Sequence, residues 1–268
     1  MKNPVLDGAR AKIQRAGHHL REIDEAIGQL WAAERDSTSG AFPGHKMDEQ
    51  HLIVYRPHSA PLDPSFALMV GDFIHNVRSA LDHLVFQLAQ LHGAPAAAAD
   101  KTTFPVCLTK KAFDNISKSK LVPFISPAAL AEIEKFQPYS TGDAEQDVLW
   151  VLSKLDIIDK HRLLIVTKSK VRPTRFTFTA PTGHQASAEL PEMEWKPADA
   201  GTELIRFDLS GTALPAGEMK VNITTAMTVQ IENSGLVCDG MIVQAVLADS
   251  IQHTVNTIDH FGKVFFSE

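Results

Sequence analysis

Only two cysteines, Cys107 and Cys238, occur in 268 residues, far apart and outside any CxxC spacing. That excludes a cysteine-only zinc site within one chain, and such sparse use fits a reducing, cytoplasmic setting. Both read as small core hydrophobes, not as nucleophiles. Tyrosine is as rare, and aromatic residues make up 7%, which leaves no platform for stacking single-stranded bases. No run approaches the roughly 18 apolar residues of a membrane span. Met1-Lys2-Asn3-Pro4, followed by Asp7 and Arg10, has no apolar h-region, so no secretory signal is expected. A Gly-rich phosphate loop, a G-x-S-x-G elbow and a Ser-x-x-Lys beside its partner motifs are all missing. Their absence turns the reading away from nucleotide-dependent, α/β-hydrolase and β-lactamase chemistry, and no cofactor is implied.

What is present describes a folded chain. Hydrophobic residues at 44% and charged residues at 22% can bury a substantial core and do not suggest disorder. The net charge of −6 argues against a general nucleic-acid coat protein, which is normally basic. Charge is uneven, however. Between Lys154 and Arg175 seven Lys and Arg side chains face only Asp156 and Asp159, a local excess of about five positive charges that suits either a solvated surface or a phosphate-attracting patch.

Hydrophobic periodicity predicts four long helices. The first, from about Leu6 to Trp31, repeats Leu6, Ile13, Leu20 and Ile27 every seven residues. The second spans 64–92, with Asp63 as N-cap, Pro64 at the first helical position and Gly93 as the stop. Its stripe is Phe73, Val77, Leu81, Leu84, Leu88 and Leu91. A third, about Ala144 to Asp159, is apolar almost all round and so is expected to be central. The fourth runs from about Gly240 to Phe261. A short strand is expected at His51–Arg56, a turn-strand at Phe104-Pro105-Val106, and otherwise connector from Ala94 to Leu121. Residues 163–235 have β-type composition broken by turn clusters. The expected fold is therefore α+β and mainly α: a four-long-helix bundle from residues 1–162 and 236–268, with a β-meander, 163–235, inserted before the C-terminal helix, the whole one compact unit.

The second helix carries the densest polar chemistry. It contains no lysine and no glutamate, yet within twelve residues it places Asp72, His75, Asn76, Arg78, Asp82 and His83. At 100° per residue His75, Arg78 and Asp82 share one flank, with Asp72, Asn76, Ser79 and His83 beside them. A merely solvated face is served by Lys and Glu, so two imidazoles and a guanidinium here point to a site.

Arg78-Ser79-Ala80-Leu81-Asp82-His83 is an R-x4-H arrangement on a long bundle helix, and it resembles the ribonuclease motif of the HEPN superfamily. That resemblance implies a helical bundle, a homodimer whose protomers share a cleft, and RNA as substrate without a metal. It implies that Arg78 binds the scissile phosphate and His83 serves as general acid or base, with Asn76 or Asp82 orienting them. The order Gly71-Asp72, His75-Asn76-x-Arg78-Ser79-Ala80-Leu81-Asp82, Phe104-Pro105-Val106 and Leu155-Asp156-x-x-Asp159-Lys160-His161-Arg162 also resembles a family of bacterial hypothetical proteins. It implies that the helix and the Asp159-Lys160-His161-Arg162 motif form one constellation, with His75, Lys160, His161 and Arg162 as substrate-binding candidates. On physical grounds either Asp159 pairs with Arg78 or His161 extends a phosphate site.

Two other readings use the same residues. In the first the polar groups are structural and the protein is a non-enzymatic binding bundle, since buried polar groups must be satisfied and such networks fix packing. In the second, Asp72, His75, Asp82, Asp156, Asp159, Asp249, His253 and His260 supply metal ligands from facing helices of a hydrolase. No Glu-x-x-His or His-x-x-x-His falls within one helix, so no metal ligand is assigned. Asp249, His253, Asn256 and His260 form a polar stripe that reads as a solvated face.

Overall fold

A computed structural model describes residues 4–37, 52–55, 62–99, 101–179, 183–194, 196–197, 205–208, 220–232 and 234–267. In chain order the elements are α1 (Asp7–Ser37), β1 (Leu52–Tyr55), α2 (Pro64–Leu91), α3 (Ala96–Ala99), α4 (Lys110–Lys120), α5 (Pro127–Lys135) and α6 (Val148–His161). Then come β2 (Ile165–Thr179), β3 (Gln185–Glu189), β4 (Lys196–Pro197), β5 (Ile205–Asp208), β6 (Lys220–Glu232) and α7 (Val243–Phe265). The protein is mainly helical with antiparallel strands. Among the described residues no helix is long and apolar enough to cross a membrane.

The chain divides into two compact units. One is built from residues 1–23, 64–165 and 231–268, the other from 24–63 and 166–230. Strand β1, expected beside the helices, instead belongs to the unit that holds the strands: it pairs antiparallel with β5, Leu52 opposite Asp208 and Tyr55 opposite Ile205.

In the helical unit α2 packs on both α6 and α7, and these two pack on each other. The α2 stripe behaves as its spacing predicts: Phe73, Val77, Leu81 and Leu84 are wholly buried and Leu88 nearly so, each side chain contributing about 2 kcal/mol of hydrophobic stabilisation. Leu91 departs from the pattern at 57% exposure, since it is the final residue of the helix. There the chain reverses through a left-handed Gly93 (φ 84°), with the Gly93 N–H donating to Gln90 O and the Ala94 N–H to Ala89 O at 3.0 Å each. Only glycine takes that φ without strain.

Three expectations need correction here. The stretch from Ala94 to Leu121 is not all connector, because α3 and α4 lie within it. Thr109 caps α4, its hydroxyl accepting from Ala112 N at 3.2 Å. Helix α4 buries only Phe113 and Ser117, too short a stripe for its period to be read. Phe104-Pro105-Val106 is not a strand; it is a buried loop held by side chains. Helix α6 is not apolar all round in effect: Ile157 is 46% exposed, whereas Asp156 is 4% exposed.

In the β-rich unit the strands do not follow one another as a simple meander. Strand β2, 15 residues long, pairs with β3 along Arg175–Thr179 and with β4 at Lys170–Val171, and β6 also pairs with it. Its length lets successive stretches take different partners. Directly opposed residues reinforce the register: Arg175 Nε donates to Glu189 at 2.7 Å, and the Thr177 and Ser187 hydroxyls lie 2.8 Å apart.

Candidate functional site

Asp147 starts α6 by accepting the N–H groups of Leu149 at 2.9 Å and Trp150 at 3.4 Å. From there the period turns Leu149, Leu152, Leu155 and Asp156 inward. A buried carboxylate must be paired, and Asp156 has two partners. Lys160 Nζ, one turn on, donates to Oδ2 at 2.5 Å, and His75 Nδ1, from α2, lies 3.2 Å from Oδ1. An ionised carboxylate only accepts, so the Nδ1 proton belongs to this bond and Nε2 keeps its lone pair. The His75 side chain is 54% exposed and that of Asp156 6%: a fixed, hidden carboxylate orients an imidazole that solvent reaches.

Asp159, one turn beyond Asp156, lies against the backbone of α2. A Cβ built on Gly71 would stand 2.6 Å from its Cγ and Oδ2 and closer still to Oδ1. Burial pushes the Asp159 carboxyl above its usual range, and the Asp156 and Asp72 carboxylates push it further the same way. His75 and Lys160 pull it down.

One turn along α2 from His75, about 4.5 Å up the axis, the chemistry is different. Arg78 Nη1 donates to Asp82 Oδ1 at 2.7 Å and Nη2 donates to the Phe104 carbonyl at 2.7 Å. The same Asp82 oxygen accepts the Phe104 N–H at 2.8 Å. Arg78 and Asp82 therefore hold the carbonyl and the N–H of one residue, Phe104, and so fix two successive peptide groups. The next turn of that loop is held by Gln137, itself fully buried: its amide donates to Pro105 O at 2.9 Å and accepts from Cys107 N at 3.1 Å.

The remaining candidates go elsewhere. Asn76 Nδ2 donates to Asp72 O on its own helix at 2.7 Å. His83 sits over Gly8 of α1, where an added Cβ would be 2.9 Å from its Nδ1. His161 and Arg162 are exposed where α6 ends. So the structure joins His75 to Lys160 through Asp156, and Arg78 to Asp82 through Phe104, but turns Arg78 and His83 toward different neighbours. The expected pairing of Asp159 with Arg78 is replaced by Asp159 on Gly71. Among the described residues no three His, Cys, Asp or Glu converge to hold a metal ion. Two participants were missed by sequence reasoning: Asp156, which it offered only as a metal-ligand candidate, and Gly71, to which it gave no role. The available signal was a carboxylate on the apolar face of α6, spaced four residues from a lysine.

Comparison of the chain with protein-family models, with curated proteins and with solved structures finds no match.

Proposed function

We propose that the α2–α6 contact is a metal-independent acid–base site of ribonuclease type, centred on His75, in a cytoplasmic homodimer whose long helices α1, α2, α6 and α7 form a four-helix bundle. One observation carries this reading: His75 Nδ1 is bound to a buried carboxylate while the ring itself stands half in solvent. In this reading Nε2 accepts the proton of a ribose 2′-hydroxyl as that oxygen attacks the adjacent phosphorus. Lys160, about half exposed, offers positive charge to the phosphate, and His161 and Arg162 extend that charge along the RNA. The HEPN-like pair shifts role: Arg78, with two nitrogens engaged, holds the Phe104 loop one turn along α2 from His75.

The test is cleavage of cellular RNA by purified protein in excess EDTA. His75→Ala is expected to lower the rate about 10²- to 10⁴-fold, with the fold retained and the melting temperature lowered by only a few degrees, since Lys160 still pairs Asp156. Loss of cleavage in Arg78→Ala/His83→Ala but not in His75→Ala would return the site to the HEPN-like pair. A second reading, a non-enzymatic bundle with a structural polar helix, is favoured by the Arg78–Asp82 grip on Phe104. It gains the ground if the wild type cleaves no RNA and binds it no better than His75→Ala.

A further inference from the structure

This inference rests on the ribonuclease reading and asks what completes it, since a base alone leaves the departing oxygen without a proton. Three carboxylates gather at the α2–α6 contact, Asp72 from α2 and Asp156 and Asp159 from α6, and the other titratable groups facing Asp159 are His75 on α2 and Lys160 on α6. Only one of these, Lys160, is a permanent cation, and its hydrogen bond goes to Asp156 and not to Asp159. Asp156 also takes the His75 N–H, and Asp72 is exposed to water. Asp159 is half-buried and feels His75 and Lys160 only at a distance, less strongly than burial and the Asp156 and Asp72 carboxylates. It is pressed on helix backbone in the volume that any side chain at position 71 would occupy. Like charges at such a site are relieved when the least compensated carboxyl keeps its proton.

We propose that Asp159 is the proton donor that complements His75, and that Gly71 is the positioning residue that seats it. As His75 Nε2 takes the 2′-hydroxyl proton, the 2′-oxygen forms its bond to phosphorus. The bond from phosphorus to the 5′-oxygen breaks with its electron pair on that oxygen, which receives the Asp159 proton. The products are a 2′,3′-cyclic phosphate and a 5′-hydroxyl. The site is left as imidazolium and carboxylate, and passage of one proton from His75 to Asp159 through water resets it.

The seat can be tested without substrate. Carboxyl-carbon NMR of the full chain should show Asp159 titrating above the ordinary aspartate value of about 3.9. Gly71→Ala should bring that midpoint down, because the methyl group lifts the carboxyl off the helix. With a short RNA oligonucleotide, Asp159→Asn, which preserves shape, should lower kcat about 10²-fold or more and abolish the alkaline fall of the pH–rate profile. Gly71→Ala should lower kcat at neutral pH roughly tenfold for each unit its midpoint drops, following the protonated fraction. Circular dichroism establishes that both variants fold. If Gly71→Ala does not fold, Asp159→Asn and the wild-type titration decide alone. An ordinary Asp159 midpoint, or an Asn variant with an unchanged alkaline limb, overturns the proposal. A raised midpoint in a wild type that cleaves no RNA overturns the ribonuclease reading and the donor role together, leaving the seat itself established.

Discussion

Replacing Asp82 with alanine tests whether the Arg78–Asp82 pair is a clamp on the loop. Asp82 Oδ1 accepts from Arg78 and from the Phe104 N–H. A hydrogen bond to a charged group contributes about 1.5–3 kcal/mol, and the low end applies because the Asp82 side chain is 34% exposed. Phe104 is 1% exposed, so its N–H loses its partner in a place water does not reach, worth about 1–3 kcal/mol. Together the loss is about 3 kcal/mol, or roughly 6–12 °C in melting temperature for a chain of this size. Arg78→Ala loses about 2 kcal/mol and leaves the Phe104 N–H bonded. The double variant should lose about 3.5 kcal/mol, less than the sum, because both changes remove one shared bond. Amide hydrogen exchange separates the roles: Phe104 should exchange roughly 100-fold faster in Asp82→Ala and far less so in Arg78→Ala. Asp82→Ala melting within about 1 °C of the wild type, with Phe104 exchange unchanged, would refute the clamp.

Gln137→Ala removes the donor to Pro105 and the acceptor for Cys107 from a fully buried position, and is expected to destabilise the helical unit by about 3 kcal/mol in denaturant titration. His253 gives a pH signature. Burial pushes its pKa below the ordinary value, with Asp147 opposing. The unfolded chain therefore takes up the proton first, so stability is complete above about pH 6.5 and falls as pH drops toward the folded pKa. Melting temperatures between pH 7.5 and 5 should show that fall, and His253→Leu should flatten it.

Local punctuation made α2 readable. Pro64 and Gly93 mark its limits, and its stripe repeats often enough to fix the buried face. Helix α4 escaped because two buried residues in eleven leave no period to detect. Pairings between distant segments leave no trace in a single sequence: β1 and β5 are brought together by register alone, and His75 meets Asp156 across 81 positions. For the candidate site, composition singled out a helix but not which of its groups meet. The absence of Lys and Glu from α2 marked the helix, whereas the roles of its residues depend on which neighbour each turn faces. Arg78 and His83, five residues apart, point about 140° from one another around the axis, so one faces the Phe104 loop and the other Gly8.

The segmentation of the two units has a consequence during synthesis. Helix α2 leaves the ribosome long before α7, yet α7 covers part of its apolar face, and β1 must wait some 150 residues for β5. Neither unit can close as its first segment emerges, so folding depends on late, long-range contacts and is slow. The bare stripe of α2 is meanwhile the surface by which a nascent chain would bind a chaperone or aggregate.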